Sequence, residues 1–337
     1  MLRQTPFHPR TAALCEGLNW RRWAGYVVAS SYELQHDREY HAIRTAAAML
    51  DISPLYKYLV TGPDAATLLD RVVTRDVSRC QVGQVLYTPW CDSKGKQIDD
   101  GTLARLAESV FRLTAAEPNL RWLHLNATGL DVTIADVSDT VAALAVQGPA
   151  SRVVLEHAAD TDLAGLRFFR LTNATIRGIP VTISRTGYTG DLGYEIWLEA
   201  GQALPLWDEL INAGTPYGLT PAGILALDVA RIEAGLLLLD VDYVPANRAL
   251  IEDQKSSPFE LKLGWTVALD KPAFVGRAAL VAEAAREPTW RLAGIEVDWT
   301  SLERLHADRG LPPKLPAVAF RTSVPLYVEE EQVGYAT

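Results

Sequence analysis

The arrangement of this chain is decided by one stretch, Ser184-Arg185-Thr186-Gly187-Tyr188-Thr189-Gly190-Asp191-Leu192-Gly193-Tyr194-Glu195-Ile196-Trp197-Leu198-Glu199. Three glycines spaced three apart separate an alternating apolar run that includes Val181 and Ile183 from a second run that begins at Tyr194. This pattern predicts two strands joined by a tight loop that depends on glycine.

Alternation along the second strand predicts which side chains share a face. Tyr194, Ile196 and Leu198 point to one side, whereas Glu195 and Trp197 point to the other. An indole offers a flat apolar wall, and a carboxylate beside it can accept two parallel hydrogen bonds. The pair therefore suits a planar heterocycle with two adjacent N–H donors, such as a pterin or a guanine. The alternative is ordinary strand packing for Trp197, with Glu195 in water.

Size and composition indicate a globular protein with more than one domain or lobe. The chain has 337 residues, of which 48% are hydrophobic and 22% are charged, and it has no apolar run near the ~18 residues of a membrane span. The net charge of −9 argues against nucleic-acid binding, which relies on clustered Lys and Arg. Residues 1–16 lack an apolar stretch of the signal-peptide type, so we expect a cytoplasmic protein with neither a nucleic-acid nor a membrane partner.

The spacing of cysteine and histidine predicts neither disulfides nor a metal site. Cys15, Cys80 and Cys91 are too few and too scattered for a disulfide framework or a metal knuckle. His36 and His41 are five residues apart, which on a helix places them on different faces. We therefore expect reduced thiols and no bound metal.

Two segments repeat a strand, a Gly-Pro turn and a helix. They contain Gly62-Pro63 and Gly148-Pro149, and each proline stands where a first helical turn tolerates its missing N–H. Between them, a turn signal at residues 92–95 predicts a hairpin whose returning strand carries Asp99 and Asp100. Adjacent carboxylates on a strand project to opposite faces, so only one of them can face a given pocket.

Helical spacing predicts helices over residues 32–49 and 204–214. A further helix is expected to open at Thr220-Pro221, with the threonine as N-cap, and to end at Gly235. Glu233 falls in the last turn of that helix, where the helix dipole disfavours an anion by roughly 0.3–1 kcal/mol, so a compensating partner is expected. A short strand is expected at residues 264–265.

The run from Arg185 to Ile196 resembles the signature of the glycine-cleavage T-protein (aminomethyltransferase) family of tetrahydrofolate-dependent enzymes. Further blocks follow in the family's order: Gln147-Gly148-Pro149, Arg231-Ile232-Glu233-Ala234-Gly235, Leu263-Gly264-Trp265 and Phe274-Val275-Gly276-Arg277-Ala278-Ala279-Leu280. The resemblance implies an α+β, three-lobed fold around a central folate channel. It also implies two domains, residues 1–285 with two intertwined α+β lobes that bind folate, and residues 286–337 with a partial C-terminal β-barrel.

The resemblance also carries over site residues and the cofactor tetrahydrofolate. Glu195 matches the family glutamate that grips the pterin, and Trp265 matches an aromatic residue that lines the folate site. Asp99 and Asp100 match paired aspartates, one of which lies beside the reacting centre; we favour Asp100 as the catalytic residue and leave Asp99 open. Tyr87 is expected to form a wall of the pocket. The other implied cofactor contacts are Tyr188, Trp197 and Arg231.

This chain departs from the family pattern at three places. Gly95-Lys96 stands where the family has Gly-Gly, Leu227-Asp228 replaces Arg-Asp, and residues 51–55 replace Asp-Val-Ser-His-Met. We therefore predict a tetrahydrofolate-dependent aminomethyl or methyl transferase that uses a small-molecule one-carbon donor, and we leave a lipoyl carrier protein open as a partner. One alternative is a folate-dependent demethylase of a sulfonium, aryl-ether or methylated-amine donor. Another is a folate-binding factor without enzyme activity.

Overall fold

The computed structural model describes residues 2–316 and 318–337, and it shows a mixed α+β chain built on two main sheets. The strands are β1 (Arg3–Gln4), β2 (Trp20–Trp23), β3 (Tyr26–Ala29), β4 (Ala47–Asp51), β5 (Tyr56–Thr61), β6 (Val85–Cys91), β7 (Gln97–Ala107), β8 (Val110–Ala115), β9 (Thr133–Asp136), β10 (Val141–Gln147), β11 (Leu171–Ile176), β12 (Ile179–Ser184), β13 (Gly193–Glu199), β14 (Leu219–Pro221), β15 (Val324–Val328) and β16 (Glu331–Ala336). The helices are α1 (His8–Leu14), α2 (Asp37–Thr45), α3 (Ala65–Val72), α4 (Leu120–Asn126), α5 (Ser151–Ala158), α6 (Ala203–Gly214), α7 (Ile224–Glu233), α8 (Arg277–Ala284) and α9 (Trp299–Ala307). In the described part of the chain, no helix has the length and apolar character needed to cross a membrane.

The larger sheet has six strands in the order β11-β12-β13-β10-β4-β14. The hairpin expected from the glycine-rich stretch is confirmed, because β12 and β13 pair antiparallel with Ser184 opposite Glu195 and Thr182 opposite Trp197. Tyr194 lies in the core that this sheet forms with α5 and α6, whereas Trp197 lies in a separate core with residues of α2 and α7. The predicted alternation of faces is therefore correct.

The second sheet has five antiparallel strands in the order β6-β7-β8-β5-β9. The hairpin predicted around residues 92–95 is its β6–β7 pair. One face of this sheet is apolar and packs on α3 and α4 through side chains such as Trp90, Leu103, Phe111 and Leu113. The other face is left for polar side chains.

The two Gly-Pro segments form the strand-turn-helix units that the sequence predicts. The first connects β5 to α3 and the second connects β10 to α5. Gly62 and Gly148 adopt almost the same backbone angle, with φ of +121° and +120°. Each main sheet therefore contains one strand that is followed by this same Gly-Pro turn.

Only the middle of the helix expected over residues 32–49 is helical, because α2 begins at Asp37. The helix α2 ends at Thr45, and Ala47–Asp51 is the buried strand β4, which pairs with β10 and with β14. An apolar run this short fits a buried strand and a buried helix equally well by pattern. Pairing with two distant strands decides the outcome.

Two further local predictions are also wrong. Thr220 and Pro221 lie in β14, and α7 begins at Ile224, so the threonine is not the N-cap of that helix. Because β14 is an edge strand, a proline there removes no ladder hydrogen bond inside the sheet. Gly264–Thr266 is a short 3-10 turn and not a strand.

The anion at the end of α7 has the partner that the helix dipole requires. Arg44 donates from Nη2 to the Glu233 carboxylate at 2.6 Å, and the hydroxyl of Tyr40 donates to the same carboxylate at 2.7 Å. Arg44 also donates from Nη1 to the carbonyl of Thr189 at 2.7 Å. One arginine therefore fastens the glycine-rich loop to α7.

The described residues after 285 include α9 and the β15–β16 hairpin, and they do not close into a barrel. An ion pair joins this segment to α7, and β2 contributes a second cation to the same carboxylate. Arg321 donates from Nε and Nη2 to the Asp228 carboxylate at 2.7 and 2.6 Å, and Arg21 donates to it at 3.1 Å. The buried Asp228 therefore has two cations, although Leu227 stands where the family pattern has arginine.

Candidate functional site

The polar face of the five-stranded sheet carries most of the predicted site. Tyr87 of β6 lies opposite Thr102 of β7, and Pro89 lies opposite Asp100. Paired residues share a face and side chains alternate along each strand, so Tyr87, Thr102 and Asp100 project to one side. Asp99 projects to the other side, as the sequence predicts.

Asp100 is held by two tyrosine hydroxyls. Tyr87 donates to Oδ2 at 2.8 Å, Tyr243 donates to Oδ1, and the Gln97 amide contributes a longer contact of 3.4 Å. Burial raises the pKa of Asp100, although the hydroxyl donors oppose that shift. The residue as a whole is half-buried.

Asp99 is 0% exposed, and its contacts are structural in type. Its oxygens accept hydrogen bonds from the backbone N–H of Asp100 at 2.8 Å, the backbone N–H of Glu117 at 3.1 Å and the Asn119 amide at 2.7 Å. Asn119 in turn accepts from the indole of Trp90 at 3.0 Å. Burial and the nearby charge of Asp100 raise the pKa of Asp99, and the three N–H donors oppose this.

The opposing sheet contributes Glu195. The hydroxyl of Thr186 donates to its Oε2 at 2.9 Å. Burial raises the pKa of Glu195, and the Thr186 hydroxyl and the Arg112 guanidinium lower it. Arg112 belongs to β8, and its guanidinium lies 3.9 Å from the centre of the Trp197 ring, so the two sheets face each other here.

Trp197 offers little surface to a ligand in this structure. It is 3% exposed, its Nε1 donates to Ser184 Oγ at 3.4 Å, and Arg112 covers its ring. The contact with Arg112 occupies the face of its ring.

Two further predicted residues, Trp265 and Tyr188, are linked to Asp100 through Tyr87 and through its charge. Trp265 is 64% exposed, and its ring stacks at 6.2 Å from that of Tyr87. Tyr188 donates to the carbonyl of Leu237, and its pKa is raised by burial and by the charge of Asp100, while Arg231 lowers it. The charges of Asp100 and Arg231 therefore both act on the Tyr188 hydroxyl.

Arg231 is buried in an ion pair with Asp242. Its Nε and Nη2 atoms are buried and have no hydrogen-bond partner in the described part of the chain. Two unsatisfied donors on a buried cation are unusual, because each carries a desolvation penalty.

Two of the three glycines of the decisive stretch are required by one side chain. A Cβ atom built on Gly187 or Gly193 would lie 1.9 or 2.1 Å from the amide oxygen of Gln147. That oxygen accepts a hydrogen bond from Thr189 at 3.1 Å. Gln147 therefore holds the loop that carries Tyr188, which links two of the sequence motifs physically.

Two residues of the site have no clear signal in the sequence. Arg112 is a single charge in the run Val110-Phe111-Arg112-Leu113-Thr114. This pattern is typical of a strand with one face exposed to solvent. Tyr243 lies in an irregular segment with no periodicity. Strand pairing brings Arg112 to the site, and the path of an irregular segment brings Tyr243 there.

Comparison with known proteins decides the family. The family profile described as the GCVT N-terminal domain matches residues 7–271. The chain belongs to this family. The membership expected from the glycine-rich stretch and its companion blocks is therefore confirmed, and the profile covers both main sheets of this GCVT-family chain.

Individual relatives of this GCVT-family chain agree over most of its length. An aminomethyltransferase of Shouchella clausii is 36% identical over 306 residues, which cover 89% of this chain and 76% of the relative. A trimethylamine-oxide aldolase of Ruegeria pomeroyi is 36% identical over 312 residues, which cover 88% of this chain and 38% of that protein. The crystal structure of glycine cleavage system aminomethyltransferase T from Bartonella henselae matches with a TM-score of 0.75 at 27% identity, covering 86% of this chain and 76% of that one.

Proposed function

We propose that this chain is a tetrahydrofolate-dependent one-carbon transferase. The observation that carries the proposal is a pair of half-buried carboxylates on two facing sheets, Glu195 beside Thr186 and Asp100 between two tyrosine hydroxyls. Its aminomethyltransferase relatives support a transferase of this class. The proposal includes a three-lobed arrangement around a central channel, with domains at residues 1–285 and 286–337.

The unsatisfied polar atoms of the site fit reduced folate. The Nε atom of Arg112 and the Nε and Nη2 atoms of Arg231 are buried donors without partners among the described residues. Reduced folate carries ring N–H donors, a ring carbonyl and terminal carboxylates, so it can complement both these cations and Glu195. We assign Glu195, Arg112 and Arg231 to binding, and we place Tyr87, Tyr188 and Trp265 along the wall.

Bound tetrahydrofolate would supply the amine nitrogen that accepts the one-carbon unit. The chain's main contribution is to hold donor and acceptor in line, which can be worth ~7–11 kcal/mol of the barrier. Asp100, fixed by Tyr87 and Tyr243, is placed to stabilise positive charge at the reacting atoms. Asp99 supports the strand and takes no part in the reaction.

A second candidate function is a folate-dependent demethylase that uses a methylated-amine donor. It is favoured by the similarity to the Ruegeria pomeroyi trimethylamine-oxide aldolase and by Leu227 at a position where the family pattern has a cation. Incubation with tetrahydrofolate and, separately, lipoyl-bound aminomethyl, methylated amines, sulfonium compounds and aryl ethers distinguishes the donors. Production of methyl- or methylene-folate identifies the donor, and folate binding without any turnover would leave the binding-factor alternative.

Glu195→Gln is expected to weaken tetrahydrofolate binding by about 10- to 100-fold, because one charge-assisted hydrogen bond to a ring N–H is replaced by a weaker or repulsive contact. Isothermal titration calorimetry measures the dissociation constant. Glu199→Gln is the matched control, since Glu199 is an exposed carboxylate on the same face of the same strand. Equal affinity in the wild type and the Glu195 variant contradicts the assignment, and no binding to the wild type contradicts the proposed function.

Turnover is expected to fall on the acid side at a pH above the ordinary range of an aspartate. Burial raises the pKa of Asp100, and its ionised form is the one that stabilises positive charge, so activity is lost as the pH falls through that raised pKa. A pH profile of kcat/KM measures this. An acid limb at or below the usual aspartate pKa of about 3.9 would contradict the role of Asp100.

A further inference from the structure

Arg112 is a buried cation that the chain itself does not satisfy. It is 7% exposed, and its Nε has no hydrogen-bond partner in the described part of the chain. Burial lowers its pKa to about 10, and the charge of Glu195 opposes that shift. Its guanidinium rests on the Trp197 ring at 3.9 Å, which fixes its plane.

Glu195 lies near this cation, but the structure shows no direct hydrogen bond between these two described residues. Thr186 engages Oε2, and Arg112 acts on the carboxylate as a nearby charge. The site therefore presents an acceptor, Glu195, next to a donor, Arg112. A ligand that satisfies both needs N–H donors and a carbonyl acceptor side by side.

We propose that Arg112 donates a hydrogen bond to the carbonyl oxygen at C4 of the pterin, while Glu195 accepts from N3–H and the 2-amino group. This rests on the proposed function and deepens it, because it makes Arg112 a specificity-determining residue. A reduced pterin presents these groups in the order amino, N–H and carbonyl along one edge. That order matches a carboxylate followed by a guanidinium.

Asp100 lies on the same polar face of the sheet as Arg112. Arg112 pairs with Ala104 of β7, and Asp100 lies four residues from Ala104 on the same face of that strand. In a pterin the carbonyl at C4 is next to N5, so a pterin whose C4 carbonyl meets Arg112 also presents its reacting edge to this face.

The proposal predicts discrimination between a 4-oxo and a 4-amino pterin. In the 4-amino compound a donor faces the Arg112 donor, and N3 carries no hydrogen, so it cannot donate a hydrogen bond to Glu195. The wild-type preference for the 4-oxo compound thus has two contributions. Only the first depends on Arg112.

The test compares the dissociation constants of tetrahydrofolate and tetrahydroaminopterin, which differ at C4, by calorimetry. The wild type is expected to prefer tetrahydrofolate, and Arg112→Met is expected to reduce that preference about 10-fold or more, because methionine fills the space over Trp197 without a donor. Arg112→Lys keeps a donor and should keep part of the preference, which also covers the case that the methionine variant does not fold. Arg105→Gln is the control, because Arg105 also covers an aromatic ring of this sheet, Phe111, and should leave the preference unchanged.

Two outcomes overturn the inference while leaving the proposed function intact. One is an unchanged preference in the folded Arg112 variants. The other is tighter tetrahydrofolate binding in Arg112→Met, which would show that the guanidinium occupies the ligand's place. A wild type that binds neither compound removes the proposed function and this inference together.

Discussion

Asp100→Asn is expected to reduce one-carbon transfer to tetrahydrofolate by about 100- to 1,000-fold at neutral pH, the usual effect of removing a group that stabilises charge in a transition state. The substitution keeps the size of the side chain. Tyrosine hydroxyls can rotate to accept as well as donate, so Tyr87 and Tyr243 can keep hydrogen bonds to the amide. Only the negative charge is lost, and tetrahydrofolate affinity should change little.

The same substitution should not destabilise the fold. Burial raises the pKa of Asp100 in the folded chain above its unfolded value, so its contribution to stability is largest below the unfolded pKa and is lost as the pH rises through the folded pKa. At neutral pH the ionised side chain therefore opposes folding, and the neutral amide removes that penalty. We expect an unfolding free energy within about 1 kcal/mol of the wild type or above it.

Single-turnover kinetics with the donor identified in the screen measure the rate, and thermal unfolding measures stability. The neighbouring Asp99→Asn variant serves as the matched comparison, because it removes a charge of the same type one residue away. A turnover for Asp100→Asn within a factor of three of the wild type would exclude Asp100 from the reaction. A large loss in affinity instead of rate would reassign it to binding.

The local sequence pattern was sufficient to predict which face of a strand a side chain occupies. The alternation around Glu195 and Trp197 placed these side chains on the face opposite Tyr194, and the Asp99-Asp100 pair was correctly divided between two faces. Period-two geometry needs no knowledge of the rest of the chain. These are the parts of the site that the sequence could predict.

Pattern failed where a distant partner decided the structure. Residues 46–50 are an apolar run whose strand forms because β10 and β14 flank it, and that pairing cannot be read from the run itself. Thr220 illustrates the same point, since a good N-cap residue is used in an edge strand. Tertiary pairing outweighs local propensity in both cases.

Arg112 shows why a functional residue can be missed by sequence reasoning. In β8 it alternates with Phe111 and Leu113, which is also the pattern of an arginine in water. The six-stranded sheet covers the polar face of this five-stranded sheet at Arg112, so the same alternation yields a buried cation over Trp197. Only the packing of the two sheets distinguishes an arginine in water from a buried arginine over Trp197.

Asp99→Asn is expected to lower the unfolding free energy by about 2–4 kcal/mol while leaving the turnover of the folded fraction within about 10-fold of the wild type. Asp99 accepts three N–H donors, one at Oδ1 and two at Oδ2. An asparagine presents only one acceptor oxygen, so its NH₂ group must face at least one of these donors. Two donors in contact without an acceptor, inside a fully buried site, carry the full desolvation penalty.

The local network cannot rearrange to absorb the change. Rotating the Asn119 amide would offer an acceptor to the new NH₂ group, but its oxygen already accepts from Trp90 Nε1 at 3.0 Å, and the buried indole would then lose its partner. Thermal or urea unfolding of both aspartate variants measures the contrast. If Asp99→Asn unfolds like the wild type and loses more than 100-fold in turnover, the two aspartates exchange roles, and Asp99 is then the residue at the reacting atoms.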